Sequence, residues 1–475
     1  MKRLSYISLL FVLGTACFSC NKVLDKYPPD KPADVNFLET GDELNLAVNG
    51  LYNNLWMTYS ASGQWEYILD NTTDIGFDRN QSIFTFIGNG TVLPSSTDLD
   101  NIWKQYYAGI GRCNYLLENI GRVNGTSQQT LDQADGQARF LRAYWYYQLT
   151  TLWGDVPLVL KPQGLEDNQL AKTPVSQIID TLLLDLDRAA QELPDTWGTA
   201  DKGKVTKGAA LALKSRIALV GGRYDLAAAA AQQVIESPQY SLYPDYAKLF
   251  TYAGESNSEV IFEVDYAYGV QTHRMPISLF SRNAQGNSTK VPTQSMVDSY
   301  ECTDGLTIDQ SPLYDPHHPF ENRDPRMRQT IAVPGDVFLG FQFETYKDSL
   351  QCWNYSTNPA KRVGNQDATN AYASFSGYCW RKSTDSADLG AYRNASSLNC
   401  IVIRLAEVLL NYAEAKIELN QIDASCLEAI NRIRQRPTVN MPPIAPGKTQ
   451  AEMRTIVRRE RKIELAMEGL RFQDI

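Results

Sequence analysis

Residues 127–153 read SQQTLDQADGQARFLRAYWYYQLTTLW, and this stretch constrains the fold more than any other in the chain. Its apolar positions recur at helical spacing, yet Phe140, Leu141, Tyr144, Trp145, Tyr147 and Leu149 cover so much of the helix that little polar face remains. A helix of that kind must be buried on more than one side. Gly154-Asp155-Val156-Pro157 stops it, because Pro157 restricts Val156 and Gly154 can take a positive φ.

The neighbouring sequence supplies helices to surround it. Helical spacing also marks residues 41–57, 99–122 and 174–193, the last beginning at Thr173-Pro174 with proline at the first helical position. The plainest hairpin joins residues 206–221 (TKGAALALKSRIALVG) to 224–236 (YDLAAAAAQQVIE) through Gly221-Gly222. Small residues on both helices let the axes approach closely. The pattern returns at 401–419 and 424–436, with a turn at Asn420-Gln421. Paired helices of this kind resemble tetratricopeptide-type repeats, although any helical hairpin shares the same grammar. Between Ser237 and Ser397 turn residues become frequent and β-like runs appear at Glu259–Asp265 and Val337–Tyr346. The expected fold is therefore mainly α, a tetratricopeptide-like scaffold of helical hairpins carrying a loop-rich insert with short β-strands.

The N-terminus has the form of an export signal. Met1-Lys2-Arg3 precede an apolar run from Leu4 to Ala16 that is too short to span a bilayer. Ser19-Cys20 then opens a polar, turn-rich segment, as at a bacterial lipoprotein cleavage site where the cysteine is acylated. Ordinary secretion with a free or disulfide-bonded Cys20 is the alternative. Loss of Lys2 and Arg3 with the leader leaves 43 basic and 54 acidic residues, a net charge of −11. That balance argues against nucleic acid or anionic lipid as partner. No later stretch is apolar for long enough to cross a membrane, so lipid on Cys20 is the expected anchor.

Chemistry-bearing motifs are scarce. The chain has no G-x-S-x-G, phosphate-binding loop, G-x-G-x-x-G or H-E-x-x-H pattern. Its histidines are His273, His317 and His318, the last two in a turn-forming context without a matching ligand cluster, so no metal is expected. Asp70, Asp74 and Asp78 recur every four residues but lack the spacing of a calcium loop, and read as solvated loop acids. Cys113, Cys302, Cys352, Cys379, Cys400 and Cys426 are scattered, and are expected mostly as buried free thiols. No cofactor is implied.

Several segments in order resemble one family, the SusD/RagB nutrient-binding outer-membrane lipoproteins. They are Ser19-Cys20-Asn21 with Leu24-Asp25 and Pro28; Ala138–Tyr144 continuing to Leu152–Val159; Lys207–Ala210 through Arg216; Glu321–Arg326; Arg404–Val408; and Arg458–Ile475 with Glu464-Leu465, Glu468-Gly469, Arg471 and Asp474. The resemblance implies a surface lipoprotein that caps a SusC-like TonB-dependent transporter and passes it glycan, or in some members peptide, without catalysis. A surface glycoside hydrolase is the enzymatic alternative, since that chemistry needs only two suitably spaced carboxylates. On this reading residues 1–19 are the signal, 20–236 an N-terminal helical region with a first binding loop at 59–98, 237–397 the insert, and 398–475 a C-terminal helical region. Family members continue past the Glu-Gly-x-Arg-x-x-Asp segment, so the sequence reads as truncated relative to the family, and a product truly ending at Ile475 is expected to leave apolar surface uncovered. Arg139, Tyr144, Trp153, Asp155, Glu464, Glu468 and Arg471 are expected to pack and pair rather than touch ligand.

The residues that could hold a sugar lie elsewhere. Such a site needs aromatic platforms and planar polar side chains that bond adjacent hydroxyls. The chain has 26 Tyr, 16 Phe and 8 Trp. The first loop offers Trp65, Asp74, Asp78, Arg79 and Asn80, and the insert offers Tyr266, Tyr268 and Arg274. The two loops are expected to meet.

Overall fold

The computed structural model describes residues 37–56, 65–164 and 169–475, so the leader and the Cys20 anchor lie outside the described residues. The scaffold is a stack of helices. α1 (Gly41–Tyr52), α2 (Thr97–Asn119), α3 (Gln128–Trp153), α4 (Val175–Glu192), α5 (Lys207–Val220) and α6 (Tyr224–Ile235) precede the insert; α7 (Leu405–Glu418), α8 (Ala424–Arg434) and α9 (Gln450–Glu464) follow it. From α2 to α6 each helix packs on the next, and α7 returns to lie against α6 and α5. α8 and α9 then pack on α7. Local sequence fixes the starts. Ser96, Ser127, Thr206 and Asp423 cap the backbone N–H groups of their helices, while Thr40 with Glu43 and Thr449 with Glu452 form capping boxes.

α3 occupies the slot its sequence demands. It lies against α1, α2 and α4, and Phe140, Leu141, Tyr144, Trp145, Tyr146, Tyr147 and Leu149 are all buried. Burying a large apolar side chain is worth about 1.5–3 kcal/mol, so this one helix anchors a large share of the core.

The strands are short and pair across long sequence distances. β1 (Gly76–Asp78) runs antiparallel to β3 (Lys290–Pro292), and β2 (Val260–Val264) antiparallel to β10 (Cys400–Arg404). β4 (Ile331–Ala332) pairs with β9 (Cys379–Trp380), and β5 (Val337–Phe338), β6 (Phe341–Gln342), β7 (Gln351–Asn354) and β8 (Lys361–Gly364) form a meander. The β2–β10 ladder fastens the two ends of the insert together immediately before α7. The β1–β3 ladder fastens the insert to the segment after residue 65.

Three expectations need adjustment. The helix expected over 401–419 begins at Leu405, because Ile401, Val402 and Ile403 are β-branched and extend β10 alongside β2. The single strand expected at Val337–Tyr346 is a hairpin, turned at Leu339-Gly340, both at positive φ. The described part of the expected loop at 59–98 holds a helical turn at Trp65–Ile68, β1 and a short helix at Ile83–Gly88. Elements that short carry no measurable periodicity. The six cysteines beyond the leader are buried, and none is bonded to another.

Candidate functional site

The sequence-selected residues divide into two groups. Trp65 is completely buried and stacks on Phe84 at 4.9 Å, so it offers no face to a ligand. Tyr266 is also buried, edge-on to His273 at 4.7 Å. Asp74 receives Arg471 at 2.7 Å and Lys462 at 3.0 Å, which ties it to the C-terminal segment. Asp78 is buried against Lys290 at 3.1 Å and accepts from Ser82 and the Asn80 N–H. These four side chains brace the fold; aromatic identity alone does not distinguish a core ring from a surface platform.

The other four reach the surface. Asn80 is exposed beside Arg79, and the Arg79 guanidinium donates to the Asn287 carbonyl at 2.9 Å. Its carbon lies 5.3 Å from the ring centres of both Tyr372 and Phe375, which are 62% and 63% exposed. Tyr268 is 66% exposed and meets Tyr392, 46% exposed, edge to face at 5.2 Å. Arg274 donates to Asn394 Oδ1 at 3.1 and 3.3 Å.

The two aromatic patches are joined by the turn at residues 282–287. Arg393, next to Tyr392, donates to Gln285 Oε1 at 3.2 Å. Arg282 donates to the Gly286 carbonyl at 2.9 Å and to Asn287 Oδ1 at 3.2 Å, and Asn287 in turn holds Arg79. The turn folds back on residues 277–280, with Asn287 N–H on the Ile277 carbonyl at 2.7 Å. A Cβ at Gly286 would stand 2.2 Å from the Phe280 carbonyl oxygen, so only glycine permits this closure. A relay of hydrogen bonds thus links the Tyr268–Tyr392 pair to Arg79 and its Tyr372 and Phe375 rings. Tyr372, Phe375, Tyr392 and the turn lie in stretches where nothing in the sequence marks a ligand residue.

His273 holds this face together from beneath. Its backbone pairs with Ser396, and its ring lies between two main-chain groups: Nδ1 accepts from Met275 N–H at 3.2 Å and Nε2 donates to the Leu398 carbonyl at 2.9 Å. That arrangement requires neutral imidazole. Burial pushes the ring from its ordinary 6.5 down to about 4. Between those values the folded state binds fewer protons than the unfolded one, so this contribution is complete above pH 6.5 and fades as pH falls toward 4. The span corresponds to about 3 kcal/mol. We expect His273→Gln to flatten the pH dependence of the urea midpoint between pH 7.5 and 4.5. The comparison with wild type is needed because half-buried Glu66, raised to about 7 by desolvation, acts in the opposite direction. Parallel curves for the two proteins would refute the assignment.

A separate cleft of about 220 Å³ lies between residues 195–206 and β2. It gathers Asp195, Glu263 and Asp265 together with Lys202 and Lys204, a mixture that selects no class of charge. Among the described residues no group of three or more His, Cys, Asp or Glu is placed to hold a metal.

The sequence profile of the SusD family matches residues 258–475, and a second profile, described as starch-binding associating with outer membrane, matches residues 22–219. The chain belongs to the SusD/RagB family. SusD-like protein P2 of Formosa agariphila is 28% identical over 500 residues, covering 100% of this chain and 90% of its own length. Among solved structures, a SusD-like carbohydrate-binding protein of Bacteroides fragilis superposes with a TM-score of 0.81 at 29% identity, over 91% of this chain and 85% of that one. A second SusD-like protein of the same species gives 0.77 at 27% identity, over 94% and 88%.

The segments that resemble SusD/RagB proteins in sequence have structural work in this chain. Arg139 pairs with Asp135 and Asp185, and Trp153 lies edge-on to Trp103. Asp155 accepts from Val175 N–H and so fixes the start of α4. Arg326, Lys382, Arg404, Arg434 and Arg436 interleave with Glu259, Glu301, Asp324, Glu460, Glu464 and Glu468 in a buried ionic lattice between the insert and α9. Family membership is thus written in the scaffold, while the exposed aromatic face is written in loops. No described helix is long and apolar enough to cross a membrane.

Proposed function

We propose that this chain is a glycan-binding lipoprotein of the outer membrane, facing the cell exterior, that captures oligosaccharide and delivers it to a SusC-like TonB-dependent transporter. The observation that carries the reading is the exposed Tyr268–Tyr392 pair, framed by the Arg274–Asn394 and Arg393–Gln285 hydrogen bonds. Rigid rings beside planar polar groups are what a sugar needs: C–H faces pack on the rings, and paired hydroxyls meet the guanidinium and amide edges. Similarity to a solved SusD-like carbohydrate-binding protein supports the ligand class. Attachment would rest on acylated Cys20, with the helical scaffold below and the aromatic face open to ligand. Binding without turnover is the role proposed, so the carboxylates near the face serve as structure.

Calorimetric titration against oligosaccharides and peptides tests this reading. We expect affinity for at least one glycan, and a loss of at least about tenfold in a Tyr268→Ala/Tyr392→Ala double variant, the weight of an anchoring aromatic pair. Binding confined to peptides would overturn it. So would glycan affinity unchanged in the double variant.

A further inference from the structure

Four arginines stand on or beside the aromatic face, and among the described residues none has an acidic partner. Arg274 uses the Asn394 amide; Arg393 uses Gln285 and the Gly390 carbonyl; Arg282 uses Asn287 and the Gly286 carbonyl; Arg79 uses the Asn287 carbonyl. Among the described residues no carboxylate oxygen lies within 4.0 Å of a nitrogen of any of them. Elsewhere arginines of this acidic chain pair directly with acids, as Arg142 does with Asp185, Arg216 with Glu407 and Arg461 with Asp474.

The nearby acids are turned inward. Asp78 is buried on Lys290, and Asp367 is buried on the N–H of Arg282 and the side-chain amide of Asn283. Neutral oxygens hold the guanidinium groups in place without cancelling their charge. Arg79 and Arg282 both contact Asn287, so two like charges converge on one exposed residue. Each guanidinium keeps unused N–H donors, and a fork of donors matches the paired oxygens of a carboxylate or sulfate. The overall charge of −9 does not counter this, because exposed charges are screened beyond roughly 8 Å at physiological ionic strength.

We infer that the glycan this face selects is anionic, a chain bearing uronate carboxylates or sulfate esters, with its sugar rings on the tyrosines and its acid groups on the arginines. The inference rests on the glycan-binding reading above. Matched polymers test it in titrations with the purified full chain: polygalacturonate against its methyl ester, and a sulfated galactan against its desulfated form. We expect an acidic member to bind at least about tenfold more tightly than its neutral partner, with affinity falling as salt rises. The pair that responds tells carboxylate from sulfate. Arg274→Gln, at an exposed position whose side chain donates to Asn394, should lose about tenfold for the acidic polymer and leave the melting temperature unchanged. Arg282→Gln should act likewise, read against its thermal melt because Arg282 also steadies the turn. Equal affinity for acidic and neutral partners, or a preference for the neutral ones, overturns the anionic inference and leaves glycan binding standing. Failure to bind any glycan, neutral panel included, overturns both.

Discussion

Glu464→Gln should destabilise the protein by about 3–5 kcal/mol, the cost of removing one partner from a buried ionic cluster. The Glu464 carboxylate meets Arg404 at 2.8 Å, Arg326 at 2.9 Å and Arg436 at 3.1 Å, and all four side chains are fully buried. Burial alone would raise its pKa, but the three guanidinium groups hold it well below the usual carboxylate range. Glutamine preserves the shape and removes the charge, leaving three buried arginines with one acid fewer. An exposed pair provides the control. Asp180 meets Arg223 at 2.9 Å, both half-exposed, and Asp180→Asn should cost no more than about 1 kcal/mol. Urea midpoints of the two variants decide the matter. Equal shifts would mean that the lattice is no more than a set of surface pairs.

The lattice explains why the scaffold was legible in the sequence and the exposed aromatic face was not. A residue such as Glu464 answers to several buried arginines from distant segments, so the motifs Glu321–Arg326, Arg404–Val408 and Arg458–Ile475 are bound to one another by charge balance. The long helices were legible for a similar reason: periodicity in α3 or α5 persists over many turns. Periodicity does not single out α9 within the C-terminal helical region, because its charged run from Arg458 to Lys462 masks the apolar positions Met453, Val457 and Ile463, which are buried. Residues 401–404 read as helix because an apolar run looks the same in a buried strand.

At the site the difficulty was burial. Trp65 and Tyr268 are both aromatic residues in turn-rich sequence, yet one is wholly enclosed and the other 66% exposed. That difference is set by which segments fold over them, Phe84 and its neighbours in one case and solvent in the other. The expectation joins the loop of Trp65, Asp74, Asp78, Arg79 and Asn80 to that of Tyr266, Tyr268 and Arg274, whereas the ladder the first segment forms is with β3, where Asp78 stands opposite Lys290. What pairing cannot reveal is that Asp78 spends its charge on that partner while Arg79, one residue on, points its guanidinium to Asn287 and the Tyr372–Phe375 rings. Alternation along a strand sends successive side chains to opposite faces, and here it separates a buried bracing residue from one that reaches the surface.

Gly469→Ala should be the second severe lesion, and it tests how the C-terminal segment supports that face. Gly469 has φ +75°, and a Cβ there would stand 2.2 Å from the Glu66 carbonyl oxygen and 2.8 Å from its carbon. The left-handed conformation costs a non-glycine residue about 1–3 kcal/mol. The contact adds to this, because backbone cannot swing aside as a side chain tip can. Gly222→Ala separates the two terms: Gly222 has φ +68° with no described atom within 4 Å of the added carbon, so it carries the conformational cost alone. We expect Gly469→Ala to lower the urea midpoint clearly further than Gly222→Ala. The displaced segment matters for binding as well. Asp70, just beyond Glu66, accepts from the N–H groups of Glu468, Gly469 and Arg471 at 2.9–3.1 Å, and Asp74 receives Arg471. Both precede β1, whose ladder positions Arg79. A Gly469→Ala protein that still folds should therefore bind ligand more weakly, whereas Gly222→Ala, in the hairpin between α5 and α6, should bind as wild type does. Equal stability of the two variants would show that the close approach to Glu66 relaxes at little cost.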